Sequence, residues 1–398
     1  MKEKAMLFYV IAFLIIAYLI LKAFVKIKFQ FWSIQPVFHI YDLHLWLLSN
    51  KVICSTLPQV NKYVNLIDIK TNRIDEMNDK QITAVCEFIR NNYLRNKIAE
   101  YSPDKRHIME YMNGANHPSY VSVYYRPKSP CDTVTTPNIE TDIYSVISAR
   151  ILNITMKNIG SFPIYYIDNL CVNPAMRKKG IAPKAIQTLH YHLRRKHENV
   201  KIFLFKREGE MTPIVPLTTF ATRGYDVSIL HRIELPHASM NVLEVTTKNL
   251  MLFVDLLQRH RETYDCIVVP DLTNIGNMID SDIISIRGIL ENGVLIAAYV
   301  FRDAATLYNG QRALELVSSI SACHFKEIYY AGFTQALHSC CKEWKATKVV
   351  IDGVGGNQLI VRCLRERGHK DLFESPSAFF LYNYACYTLP PEKCFIFC

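Results

Sequence analysis

Residues 170–183 read Leu-Cys-Val-Asn-Pro-Ala-Met-Arg-Lys-Lys-Gly-Ile-Ala-Pro, and the fold is read outward from this stretch. Tyr165 to Val172 reads as a strand that ends in it. Pro183 suits the first turn of a helix running to about Lys196, with Ile186, Leu189 and Leu193 on one face. Between strand and helix lies a turn of pattern Arg-x-x-Gly-x-Ala, residues 177–182. Backbone N–H groups of the turn and of the first helical turn converge on one space, which favours an anion. Gly180 lets a phosphate approach the backbone closely, and Arg177, Lys178 and Lys179 add positive charge. An ordinary basic turn ahead of a helix is the bland alternative.

Upstream, Ile82, Val85, Phe88, Ile89 and Tyr93 recur at helical spacing, so a helix is expected from about Gln81 to Asn96, capped by Asn78 or Asp79. Residues 127–141 are polar and contain prolines, which predicts a loop. Val146 to Ile154 reads as the strand preceding Tyr165–Val172. A second unit begins near Thr246, with a helix around Leu250, Phe253, Val254 and Leu257. Strands are expected at Gly293–Phe301, Leu314–Ser321, Val349–Asp352 and Ala378–Tyr387, with helices at Phe325–Trp344 and Gln358–Glu366. Helices alternating with paired strands in both halves predict an α/β (α+β) protein of two tandem units of related plan.

The N-terminus differs in kind. Ala5 to Leu21 is continuously apolar, Lys22 interrupts, and Ala23-Phe24-Val25 follows. That length suits one transmembrane helix, with Lys22 snorkelling to the interface. Lys22, Lys26 and Lys28 on one side against Lys2 and Lys4 on the other give a slight bias towards a cytosolic body. No small-x-small cleavage site follows the run, so an uncleaved single-pass anchor is expected over a signal peptide.

The 398 residues carry a formal charge of +10, which suits anionic ligands or an anionic membrane face without choosing between them. No basic tract interleaved with aromatics marks a nucleic-acid surface. None of the 12 cysteines forms a Cys-x-x-Cys pair, so free thiols in a reducing compartment are expected rather than zinc knuckles or a disulfide framework. His190 and His192 point to different helix faces and make poor co-ligands, so no metal site is expected.

The turn at 177–182 resembles the pyrophosphate cradle of the acetyltransferase (GNAT) superfamily. Phe31-Trp32-Ser33-Ile34-Gln35-Pro36-Val37 resembles a signature near the start of the N-myristoyltransferase catalytic domain. Asn92-Tyr93 with Tyr101-Ser102-Pro103, then Leu170 to Pro183, then Leu381-Tyr382-Asn383 with Glu392-Lys393, are similar to that family's later blocks, in the family's order. The resemblance runs from about Phe29 to Cys398. It implies two GNAT-like halves, residues 29–240 binding acyl-CoA and 241–398 serving the acceptor peptide, behind an anchor and basic flank at 1–28.

Carried over residue by residue, the resemblance places CoA contacts at Gln30, Phe31 and Trp32, at Leu170, Cys171 and Val172, and at Lys178, Gly180, Ile181 and Ala182. It implies an oxyanion hole from the backbone around Asn169 and Leu170, where interrupted strand pairing would leave N–H donors facing the thioester. Tyr93 and Tyr101 would border the acceptor. The general base would be the terminal carboxylate of Cys398, which the apolar tail Phe395-Ile396-Phe397 would carry inward. Aromatic residues just after an anchor also suit the bilayer interface, which is the rival role for Phe31 and Trp32.

This chain departs from the family pattern on the acceptor side. Leu94-Arg95-Asn96-Lys97 replaces an acidic run, Asp168 and Asn169 replace asparagine and phenylalanine, and Thr222 replaces a histidine. A basic lip should disfavour peptides with lysines after the glycine. The expected function is transfer of myristate from myristoyl-CoA, a co-substrate, to N-terminal glycines, with no permanently bound cofactor. Rival readings are a GNAT-type transferase acting on another amine, such as a lysine side chain, and a non-catalytic, membrane-tethered acyl-CoA-binding protein.

Overall fold

A computed structural model describes residues 2–48, 50–94, 99–126, 143–209 and 212–398 of the chain. The proline-containing loop expected at 127–141 lies outside the described residues, as does Arg95-Asn96-Lys97 of the basic lip.

The chain opens with α1 (Lys2–Lys28), α2 (Leu43–Leu47) and the short strand β1 (Lys51–Val52). Then come β2 (Ile69–Arg73), α3 (Asp79–Asn92), β3 (Ala99–Tyr101), α4 (Lys105–Met109) and β4 (Tyr120–Tyr125). Asn78 caps α3 reciprocally: its side chain accepts from the Gln81 N–H at 2.9 Å, and Gln81 accepts from the Asn78 N–H at 3.0 Å. The helix stops at Asn92, short of the expected Asn96. Tyr93 turns extended at ψ 135° and Leu94 turns left-handed at φ 37°.

Two hairpin-plus-helix units form the middle of the sheet. In the first, β5 (Ile143–Met156) pairs antiparallel with β6 (Gly160–Val172), α5 (Ile181–Lys196) crosses over, and β7 (Phe203–Glu208) runs parallel to β6. The strands β8 (Thr218–Asp226) and β9 (Met240–Val245), α6 (Met251–Arg259), β10 (Cys266–Val269), α7 (Leu272–Asp280) and β11 (Ile284–Glu291) follow. The second unit repeats the plan: β12 (Val294–Tyr308) and β13 (Gln311–Ser321) pair antiparallel, α8 (Lys326–Trp344) crosses over, and β14 (Lys348–Asp352) is parallel to β13. The chain then runs through α9 (Asn357–Glu366), β15 (Phe373–Tyr382), β16 (Tyr384–Ala385) and β17 (Cys394–Ile396).

The two units exchange their next strands. β8, which follows the first unit, pairs with β14, and β15, which follows the second, pairs with β7; β8 and β15 also pair with each other. Residues on either side of 240 therefore interleave in one sheet. β17 is parallel to β10, which lies beside β5, and Cys394 to Cys398 are all buried, so the chain end is held inside the protein. The expected strand to Tyr387 breaks at Asn383, which is left-handed at φ 66°. Its side chain bonds the Cys54 N–H and the carbonyls of Cys54 and Lys201, and those bonds hold the break in place.

The apolar stripe read from sequence is the face α5 buries. Ala185, Leu189 and Leu193 pack on Ile147, Ile151, Tyr165, Phe203 and Phe380. Cutting Leu189 to alanine there should cost about 2–5 kcal/mol. Every described cysteine is a free thiol. Among the described residues no cluster of three His, Cys, Asp or Glu is placed to hold a metal ion.

Candidate functional site

β6 leaves its neighbours in mid-strand. Asp168 pairs with Ser148 and Cys171 with Val146, so Asn169 and Leu170 stand opposite the single residue Ile147. This is a β-bulge. Asn169 takes up the left-handed turn at φ 53°, which asparagine tolerates, and its side-chain amide donates to Ser148 Oγ at 2.9 Å. On the other edge β7 pairs only as far as Ile167. The backbone at Asn169–Leu170 thus lies outside both registers. One donor there is already engaged: the Asn169 N–H donates to Asp168 Oδ1 at 2.7 Å.

Two cavities meet at this bulge. An apolar chamber of about 380 Å³ lies between α5 and the strands β6, β7 and β15, walled by Trp32, Ile186, Leu189, Phe203, Phe205 and Tyr382. A polar cleft of about 640 Å³ takes in Tyr101, Tyr111, Arg302, Asp303 and Glu315. Tyr93, Ile167, Asp168, Asn169, Leu170, Lys206 and Glu208 border both. Volumes of this size suit small-molecule and cofactor sites.

The N-terminal signature builds one wall of the chamber. Trp32 lies flat on Phe205, ring centroids 5.6 Å apart at 13°. Phe31 is buried, edge-on to Trp32 and to Tyr63. Phe31 is thus held inside the protein, while Trp32 is half-exposed. His39 Nε2 bonds the Trp32 carbonyl at 2.9 Å, and Gln35 donates to the Phe31 carbonyl at 3.2 Å while accepting from Tyr382 Oη at 2.7 Å. Gln30 is exposed and borders neither cavity.

At the basic turn, Gly180 is left-handed at φ 74° and caps α5, and Lys178 is left-handed at φ 62°. Both are exposed. Ile181 faces inward against Ile69 and Tyr124, so only its backbone can serve an anion. Arg177 donates to the Val172 and Asn92 carbonyls at 3.2 and 3.1 Å, clamping the end of β6 to the end of α3. Val172 and Ala182 border the polar cleft, as does Cys171, whose thiol is pushed up to about 12 by burial. On the cleft's other side Tyr93 and Tyr101 meet edge-on, 5.5 Å apart, and burial raises both phenols.

Cys398 is buried and borders a recess of about 20 Å³ with Tyr166, Lys206, Arg302, Glu315 and Asp352. Arg302 Nη1 donates to the Cys398 backbone oxygen at 3.4 Å and to Tyr111 Oη at 2.6 Å, while Arg302 Nε donates to Glu315 at 3.0 Å. Thr222 donates to Asp352 Oδ1 at 2.6 Å, and Lys206 Nζ reaches both Asp352 oxygens at 2.9 and 2.7 Å. Burial alone would lower the Lys206 ammonium, but Asp352, Glu208 and Glu315 reverse that and raise it, so Lys206 stays charged.

Sequence reading missed Lys206, Glu208, Arg302, Glu315 and Asp352. Their signal was available in part: Phe203-Leu204-Phe205-Lys206-Arg207-Glu208 ends a strand-like aromatic run in charges, next to the chamber-forming helix.

No protein-family model and no curated sequence matches the chain. Solved structures do. Saccharomyces cerevisiae N-myristoyltransferase with bound myristoyl-CoA is similar at a TM-score of 0.68 and 14% identity, over 91% of this chain and 94% of that one. The same yeast protein with bound myristoyl-CoA and inhibitors is similar at 0.68 and 15% identity, over 94% of each chain. The chain therefore has the fold of N-myristoyltransferase, entered through an apolar N-terminal helix long enough to cross a membrane.

Proposed function

We propose that this chain is a membrane-anchored acyltransferase that moves a fatty acyl group, myristoyl by resemblance, from CoA to the N-terminal glycine amine of acceptor proteins. The observation that carries this reading is the meeting of an apolar chamber and a polar cleft at the β6 bulge, with the CoA-type turn on the same strand's continuation. The chamber takes the acyl chain. The acceptor amine enters through the cleft past Tyr93 and Tyr101.

The amine nitrogen attacks the thioester carbonyl carbon. The carbonyl oxygen becomes an oxyanion, held by the backbone N–H groups at the bulge. The carbon–sulfur bond then breaks as the nitrogen gives up its second proton; the amide forms, that proton goes to the departing sulfur, and CoA leaves as thiol. The ammonium must first give up a proton. The Cys398 carboxylate receives it through one water, for which the recess has room. Arg302 orients that carboxylate through its bond to the Cys398 oxygen.

One observation favours a second reading. The Asp168 carboxylate occupies the Asn169 N–H, a donor that an oxyanion hole would use. A tethered acyl-CoA-binding protein without turnover would have that arrangement. Mass spectrometry of glycine-initiated and internal-lysine peptides, incubated with the protein and myristoyl-CoA, separates the readings. Acylated N-terminal glycine supports transfer to glycine. Acylated lysine alone redirects the acceptor, and CoA binding without any product supports the tether.

A further inference from the structure

α1 has 27 residues and so is about 40 Å long at 1.5 Å per residue, more than the roughly 30 Å of a bilayer's hydrocarbon. From Lys4 to Lys28 only Val25 is buried, so the helix's apolar side chains cover no core of their own chain. The body does not begin where the helix ends. Lys22 Nζ lies 5.7 Å from the ring of Tyr18, on its own helix, and 5.9 Å from the ring of Tyr41. Tyr41 therefore stands beside α1 more than one turn before Lys28, and the chain after Phe29 folds back along the helix.

With Ala5–Leu21 in hydrocarbon and Lys22 at the water boundary, Tyr41 and the residues after it sit at interface depth. Their exposure is the reverse of a water-facing surface. Leu43 is 61% exposed, Leu47 84% and Leu48 60%, with Ile40 at 42%. Only Leu45 of α2 is buried, against Phe38, Val215 and Ala385. Trp46, half-exposed, donates its indole N–H to the Ile40 carbonyl at 3.1 Å and tilts against Tyr387, an aromatic pair of the kind that belongs at headgroup level. Lys22, Lys26 and Lys28 bring cations to the same level, matching anionic lipid headgroups.

We propose that Ile40, Leu43, Leu47 and Leu48 form an interfacial lip that enters the leaflet from which α1 emerges, seating the body on an anionic bilayer. This goes beyond the proposed reaction and rests on α1 spanning a membrane. The covering partner is the bilayer because the continuous chain brings it there: α1 leaves its apolar run at Lys22, and the Lys22 ammonium stands at the ring of Tyr41, between Ile40 and Leu43 in the chain. The seat holds the Trp32 wall of the apolar chamber close to the lipid surface, only a few residues past the end of α1.

The test reconstitutes the full chain in phosphatidylcholine–phosphatidylserine vesicles carrying brominated acyl chains, which quench tryptophans in contact with them. Wild type, Trp46→Phe, and a variant with Ile40, Leu43, Leu47 and Leu48 all changed to serine are compared, each also washed at alkaline pH. Quenching is expected in wild type and should be largely lost in Trp46→Phe. The serine variant should stay in the vesicles through α1 with Trp46 no longer quenched. Equal quenching of wild type and Trp46→Phe overturns the lip even if the serine variant fails to fold. An unquenched Trp46 with chemically cross-linked dimers through α2 overturns it in favour of a second copy. Release of wild type by the alkaline wash overturns the span and the lip together, and leaves the proposed acyl transfer to its own assay.

Discussion

Arg302, in the middle of β12, donates to the backbone oxygen of Cys398 at 3.4 Å, tying the last residue of the chain to the wall of the polar cleft. The same guanidinium bonds Glu315 and Tyr111, so the chain end is held by a group that is itself fixed on two sides. Position, more than side-chain identity, is what this arrangement supplies.

Adding two glycines after Cys398 should therefore cost on the order of 10²-fold or more in turnover with acyl-CoA binding intact, since each extended residue moves the charge about 3.3–3.6 Å. Cys398→Ala keeps the carboxylate and should retain most activity. Asp168→Asn should retain turnover within about tenfold, because Asp168 is not the proton acceptor in this scheme. Single-turnover acyl transfer at saturating myristoyl-CoA measures all three. Full turnover by the extended chain together with collapse in Asp168→Asn would give the proton to Asp168 instead.

Gly180→Glu should weaken acyl-CoA binding at least tenfold by placing a carboxylate where a pyrophosphate would lie. No atom lies within 4 Å of a Cβ built there, so bulk is not the issue, although φ of 74° strains any side chain by about 1–2 kcal/mol. Gly180→Ala carries the same strain without the charge and should bind within a few-fold of wild type. Calorimetric titration of both variants is the check, and unchanged affinity in Gly180→Glu would remove this turn from the site.

Trp32→Ala should open the chamber wall and shift preference to longer acyl chains. It also removes the stack on Phe205, worth about 0.5–1.5 kcal/mol beyond burial. KM for dodecanoyl-, tetradecanoyl- and hexadecanoyl-CoA is the readout. An unchanged ranking would place the acyl chain elsewhere.

Burial, and secondarily Arg194, push His190 down to about 3. An unfolded histidine titrates near 6.5, so below that pH the unfolded state takes up a proton the folded state refuses. Stability is fully present above about pH 6.5 and is lost as pH falls towards 3. His190→Phe lacks this group, so its stability relative to wild type should improve between pH 7 and pH 4.5. Urea midpoints at the two values test this, and a constant difference would mean His190 charges freely in the fold.

Local patterns were legible wherever one element explains its own residues. The capping pair Asn78 and Gln81, the apolar stripe of α5 and the strand–turn–helix around Gly180 each follow from rules spanning a few residues. The end of α3 was not legible, because Tyr93 leaves the helix to border two cavities that distant strands create. Nor was the break at Asn383, set by bonds to Cys54 and Lys201.

The order of the site followed the same division. The sequence by itself determined that a basic, glycine-containing turn joins β6 to a helix, that an apolar helix leads the chain and that an apolar tail ends it, because propensity, backbone geometry and hydropathy act over short distances. Only the tertiary structure decided that Arg302 meets Cys398, that Lys206 meets Asp352, and that Asp168 sits between chamber and cleft. Those meetings depend on β8 and β15 exchanging places across one sheet and on β17 lying beside β10. Strand exchange is set by long-range pairing of apolar faces, to which many residues contribute weakly and none carries a local mark.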